Sequence, residues 1–160
     1  MAGFNLPYQP IRQHLYTSDE LFRGFEPGKP ESWEQMPDFA IYRHFVIEGR
    51  GAPTNPYTGM MQALHDNAIT QSTAAFTAGR QVTAIMGDHR LSRDAAAYRD
   101  VAILARRLTR SGILICTGGG PGAMEAGHLG ASLAKGTDSD LDNALAQLKT
   151  QLVVPGLKDI

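Results

Sequence analysis

Ile113-Leu114-Ile115-Cys116-Thr117-Gly118-Gly119-Gly120-Pro121-Gly122-Ala123-Met124-Glu125 runs from an apolar stretch through a cluster of glycines into a helix-forming sequence. The apolar part has the character of a central parallel strand, which is buried on both faces and so lacks a polar alternation. Pro121 can open the following helix from its first position, where the missing N–H costs no intrahelical bond. Beyond it, Ala123, Ala126, Gly127, Gly130, Ala131 and Ala134 are small residues that let this helix lie close to a sheet.

Upstream, Gln81 to Met86 is a short β-prone run ending at Gly87, and Ser92 offers a cap for the helix that follows. In that helix Tyr98, Val101, Ala102, Ala105 and Leu108 recur at helical spacing. Arg93, Arg99, Asp100, Arg106, Arg107 and Arg110 mostly take the other side, so one face is expected buried and one wet. The order is strand, helix, strand, helix, and a right-handed crossover would make the two strands parallel neighbours. The expected fold class is α/β, a partial Rossmann-like doubly wound parallel sheet. Asp138 to Lys149 carries Leu141, Leu145 and Leu148 at helical spacing, and Leu152-Val153-Val154 could begin a third strand. A sheet of this class normally has five or more strands, so the chain reads as the front half of the fold and is expected to be truncated.

Residues 1–58 are punctuated by Pro7, Pro10, Pro27, Pro30, Pro37, Pro53 and Pro56, which argues against long regular helices. A short helix around Ser18 to Phe22 is expected, while the apolar run Phe39 to Ile47 does not fix its own type. From Thr58 to Ala78 the spacing of Met61, Leu64, Ala68 and Phe76 predicts a helix, with Gly79 just past its end. Residues 1–78 are therefore read as an irregular and helical extension, and 79–160 as the nucleotide-binding half-domain. The aromatic residues of the extension, Trp33 among them, suit packing against the domain or a second subunit, with a ligand role as the alternative.

With 160 residues and a formal charge of −1, the chain is the size of one domain and has no electrostatic reason to bind nucleic acid or a membrane surface. A single cysteine, Cys116, excludes an intramolecular disulfide, and the polar start Met1 to Asn5 lacks the pattern of a secretion signal. A cytoplasmic location is expected, with small molecules as ligands.

Glycines between a strand and a helix let the backbone approach an anion, and the N–H groups of the first helical turn point at it with the helix dipole behind them. Thr117, Gly118, Gly119, Gly120, Gly122, Ala123 and Met124 are the candidate phosphate cradle. The alternative is that these glycines serve a tight turn and close helix packing only. Gly87-Asp88-His89-Arg90 follows the first strand and would lie beside the cradle. There Arg90 could pair with a phosphate and His89 with a ribose or base, or Asp88 and Arg90 could simply pair with each other in a solvated loop. Glu125 could accept from a ribose hydroxyl or merely favour the helix N-terminus.

Gly118-x-Gly120-x-x-Ala123 also fits the dinucleotide fingerprint, but the acidic residue expected after a following strand is missing, which argues against a nicotinamide dehydrogenase. No Gly-x-x-x-x-Gly-Lys-[Ser/Thr] loop occurs, and His14, His44, His65, His89, His128 and Cys116 do not fall at metal-ligand spacings. Neither a cofactor nor a metal is expected.

Val82-Thr83-Ala84-Ile85-Met86-Gly87, the helix between Ser92 and Gly112, and Thr117 to Ala126 together resemble the LOG (Lonely Guy) family, long labelled lysine decarboxylases. The likeness is to its larger bacterial members and covers about residues 80–136. It implies a nucleoside 5′-monophosphate phosphoribohydrolase, which cleaves the N-glycosidic bond with water to give base and ribose 5-phosphate. It also implies a homodimer or larger assembly and an AMP-like ligand.

The family's second motif, Pro-Gly-Gly-x-Gly-Thr-x-x-Glu, and the Arg shortly before it are absent from this sequence. They would supply the catalytic carboxylate and much of the phosphate cradle. No catalytic residue is therefore assigned, and residues 1–160 alone are expected to be inactive. The other reading is a non-catalytic carrier or sensor, as in relatives of this fold that bind a molybdenum cofactor.

Overall fold

The computed structural model describes residues 6–150 and divides the chain into two compact units, Met1–Ala78 and Gly79–Ile160. The Leu152 to Val154 run expected to begin a third strand lies outside the described residues.

The first unit is helical. It contains α1 (Ser18–Leu21), a 3-10 turn (Pro30–Gln35), α2 (Pro37–Ile47) and α3 (Pro56–Thr77). Thr17 caps α1 by accepting from the Glu20 N–H, and Asn55 caps α3 by accepting from the Tyr57 N–H. The prolines punctuate differently from the sequence expectation. Pro30, Pro37 and Pro56 stand in the first positions of their elements, where a fixed φ helps and no donor is lost, so an eleven-residue α2 fits inside the proline-rich stretch. Gly79, at φ +71°, follows the end of α3.

Among the described residues of this unit the buried ones are polar. Arg12 grips Glu20 through two hydrogen bonds of 2.8 and 2.9 Å and lies 3.6 Å from the centre of the Tyr16 ring. That pairing draws the Glu20 carboxyl below its ordinary range. Phe22, Phe25, Tyr42, Phe45 and Phe76 remain exposed.

The second unit is mixed α/β. β1 (Val82–Ile85), α4 (Ala96–Arg110), β2 (Leu114–Thr117), α5 (Ala123–Ser132) and α6 (Asp138–Lys149) follow in order. β1 and β2 pair in parallel with Val82 opposite Leu114 and Ile85 opposite Thr117. Tyr98, Ala102, Ala126, Leu141 and Leu145 form the core, with Leu91, Val101, Ile103, Leu129 and Leu133 packed on it.

Small residues set the spacing here. A methyl group on Gly130 would stand 1.9 Å from the Ala102 carbonyl oxygen, so α4 and α5 meet backbone to side-chain-free backbone. One on Gly127 would meet the Ile85 side chain at 3.1 Å, which seats α5 on the Thr83–Ile85 face of the sheet. The opposite face, with Val82, Ala84, Met86 and Cys116, is exposed. β2 was expected to be a central strand, but β1 is its single neighbour among the described residues.

Three local expectations need correction. Ser92 does not cap α4: the helix begins at Ala96, its N-cap Ala95 makes no side-chain bond, and the Ser92 hydroxyl turns to the Asp94 carboxylate. Pro121 does not open α5, which starts at Ala123 after Gly122 at φ +75° and ψ −128°. Arg106 is not on a wet face. It is 5% exposed, donating to Asp138 at 2.8 Å and to the Gly136 carbonyl. The start of α6 is held by a reciprocal capping box between Thr137 and Asp140. No helix among the described residues is long and apolar enough to cross a membrane.

Candidate phosphate site at the paired strand ends

Because β1 and β2 are parallel and in register, the loops after Ile85 and Thr117 leave the sheet at the same end. They are joined through Asp88. Its carbonyl oxygen accepts from Leu91 N–H at 3.1 Å and, more weakly, from Ala123 N–H at 3.4 Å. Its carboxylate accepts from the backbone N–H of Arg90 at 3.1 Å, closing a local turn. The sequence left open an ion pair between Asp88 and Arg90; the observed contact is to the Arg90 backbone. The His89 and Arg90 side chains are exposed.

The glycines of the turn differ in what the fold demands of them. Gly122 is buried, has positive φ, and a methyl group on it would stand 2.0 Å from the Asp88 carbonyl oxygen, so its role includes close packing of the two loops. Gly87 at φ +115° and Gly119 at φ +73° adopt backbone conformations that favour glycine, with open space around them. Gly118 and Gly120 have no such backbone demand. A methyl group on Gly120 would meet only the flexible end of Met124, at 2.5 Å, and one on Gly118 would meet the Met124 sulfur at 3.2 Å and Met86 at 3.5 Å. Met124 and Met86 therefore lie against the turn as movable side chains.

The donor set follows from the same geometry. Gly119 N–H is taken by the Thr117 hydroxyl at 3.2 Å, Pro121 has none, and Ala123 N–H points to Asp88. Between Gly119 and Met124 this leaves Gly120, Gly122 and Met124, their N–H groups making no hydrogen bond to another described residue. These three flank the start of α5, whose N-cap makes no side-chain bond.

Glu125 is committed elsewhere. Both its oxygens face Arg93, with Arg93 Nε donating at 2.9 Å and Nη2 also in contact, and the Tyr98 hydroxyl donates to it at 3.0 Å. The Arg93 guanidinium, aided by Tyr98, holds the Glu125 carboxyl below its ordinary range against the opposing effect of burial. Burial, then the hydrogen bond to Glu125, pushes the Tyr98 phenol up. Glu125 thus sits in the first turn of α5 as an ionised anchor to the segment before α4. Neither of its two sequence readings included this pairing.

The sequence reading also missed a cluster at the C-terminal part of α4. Arg99, Arg106, Arg107 and Arg110 line a cavity of about 340 Å3 with Asp138 and Asp142. Arg110 donates to the Ala134 and Gly136 carbonyls at 2.9 Å, and Arg99 pairs with Asp142 at 2.7 Å. The i, i+4 spacing of Arg106 and Arg110 was the available signal, but Asp138 lies 28 residues beyond Arg110 and gave none. α4 leads from the end of β1 back to the start of β2, so this half of it lies away from the glycine turn.

Compared with known protein families, curated proteins and solved structures, the chain has no significant match.

Proposed function

We propose that the unit beginning at Gly79 is the nucleotide-binding part of a LOG-like nucleoside 5′-monophosphate phosphoribohydrolase, with a partial Rossmann-like sheet and a cytoplasmic location. The observation that carries this reading is a glycine turn that closes on the Asp88 loop through Gly122 yet keeps glycine at Gly118 and Gly120, where the backbone conformation does not require it. Removing side chains there favours close approach of a ligand to the backbone. The phosphate would take the N–H groups of Gly120, Gly122 and Met124 at the positive end of α5. Arg90 would approach it from the neighbouring loop and His89 the ribose or base.

This unit would bind without catalysing. Glycosidic cleavage needs a proton donor for the departing base and a group opposite the oxocarbenium-like ribose. Glu125 is held ionised by Arg93, and Asp88 is engaged by the Arg90 N–H. Residues 1–160 should therefore bind AMP with no base release detectable by chromatography. Clear turnover by purified protein, free of contaminating nucleosidase, would overturn that assignment and redirect attention to His89, Arg90 and Glu125.

A further inference from the structure

We propose that the groove between α4 and α6 is a second anion site, built for free phosphate or the phosphoryl group of a small phosphate monoester. Arg99, Ile103, Arg106, Arg107 and Arg110 stand at i, i+4, i+7, i+8 and i+11, one stripe along α4. Asp138, Leu141 and Asp142, at i, i+3 and i+4 in α6, meet that stripe at a cavity of about 340 Å3. Its volume lies within the range of small-molecule sites.

The balance of charge selects an anion. Four guanidiniums meet two carboxylates, which leaves two positive charges in surplus. Arg99 has Asp142 at 2.7 Å and Arg106 has Asp138 at 2.8 Å, while Arg110 approaches Asp138 only to 3.8 Å, beyond hydrogen-bond length. The Arg107 side chain makes no hydrogen bond or ion pair with another described residue. The surplus therefore sits on Arg107 and Arg110. Arg106 is 5% exposed and already spent on Asp138 and the Gly136 carbonyl, so it acts on a ligand through its charge alone.

Donors within reach of a ligand belong to the other three arginines. Arg99 and Arg110 keep 50% and 46% of their side chains exposed, and Arg107 is exposed as well. Arg110 spends Nε and Nη2 on the Ala134 and Gly136 carbonyls, which fixes its plane and leaves Nη1 for an oxygen. Arg107 offers all of its N–H groups. Guanidinium forks suit the several oxygens of a phosphoryl group, and a phosphate monoester carries about −1.5 to −2 at neutral pH, which matches the surplus where a monocarboxylate meets half of it. No aromatic side chain lines the cavity, so a base has nothing to stack on and a nucleotide is disfavoured against a smaller phosphate. The inference uses this groove alone and does not depend on the role given to the glycine turn.

The test is calorimetric titration of Gly120→Val, in which the glycine turn is blocked, with inorganic phosphate, glycerol phosphate and acetate at about 0.15 M salt, where long-range surface attraction is screened. Phosphate should bind saturably, and acetate at least about tenfold more weakly. Adding Arg107→Gln should weaken phosphate about tenfold, the value of one charged hydrogen bond. Adding Asp142→Asn, which releases Arg99, should tighten it. Both residues are exposed, so neither change should shift the thermal midpoint in the absence of phosphate. Tighter binding of glycerol phosphate than of inorganic phosphate assigns the site to a monoester, and the reverse order to the free ion. If the glycine turn binds no phosphate, wild type and Gly120→Val take it up alike and the dependence on Arg107 is unchanged. Absence of saturable phosphate binding, equal binding of acetate, or an affinity unmoved by Arg107→Gln overturns the proposal.

Discussion

The carbonyl oxygen of Asp88 occupies the place where a side chain on Gly122 would begin, 2.0 Å from an ideal Cβ. The loops after the two strands are thereby locked through one backbone contact, and the first free donors of α5 are set beside the Asp88-His89-Arg90 loop.

Gly122→Ala and Gly120→Ala should consequently behave in opposite ways. Gly122→Ala combines a positive φ with a backbone clash and should cost at least about 3 kcal/mol. Gly120→Ala meets only the end of Met124 and should change stability by less than about 1 kcal/mol in either direction. Urea unfolding of the two variants checks this, and comparable stabilities would contradict the assigned loop contact.

The Arg93–Glu125 pair predicts a specific acid sensitivity. The folded carboxyl titrates below its unfolded value, so its contribution is fully present above the ordinary glutamate range and is lost as pH falls through the folded pKa. Glu125→Gln should cost about 2 kcal/mol at neutral pH, less than a fully buried pair because Glu125 keeps 27% of its side chain exposed. The difference from wild type should shrink on acidification. A difference independent of pH would show that shape rather than charge holds α5 to Arg93.

The exposed sheet face bears on self-association. Val82 is 44% and Met86 66% exposed, and register places Val82 with Leu114 and Ala84 with Cys116 on one face. α5 covers one face of the two strands seen among the described residues, and the apolar face left open favours a cover. Light scattering at tens of micromolar should return a dimer or larger species, reduced to monomer by Met86→Lys. A monodisperse wild-type monomer would exclude the assembly.

Legibility in the sequence followed the range of the interactions. The parallel pairing of β1 with β2, the long α3 and the α6 leucines were readable because apolar spacing and flanking glycines are local signals. The boundaries of α4 and α5 were not, since a turn closed by the Ala95 N–H on the Ser92 carbonyl delays α4 to Ala96, and Gly122 at positive φ against Asp88 delays α5 to Ala123. Arg106 could not be read as buried, because the Asp138 that pairs with it lies 32 residues away. At the candidate site, the glycine cluster announced itself, but the division between Gly122, held by Asp88, and Gly120, held by nothing rigid, needed coordinates. Glu125 likewise carried no sign in sequence of its partner Arg93, 32 residues upstream.

Calorimetric titration with AMP of wild type and Gly120→Val tests the nucleotide site most directly. Wild type should bind saturably and be competed by inorganic phosphate, while Gly120→Val, its thermal midpoint near that of wild type, should lose at least about tenfold in affinity as the branched side chain blocks approach to the backbone donors. AMP binding that is undetectable in wild type, or equal in the two proteins, would contradict a phosphate cradle at Gly120, Gly122 and Met124.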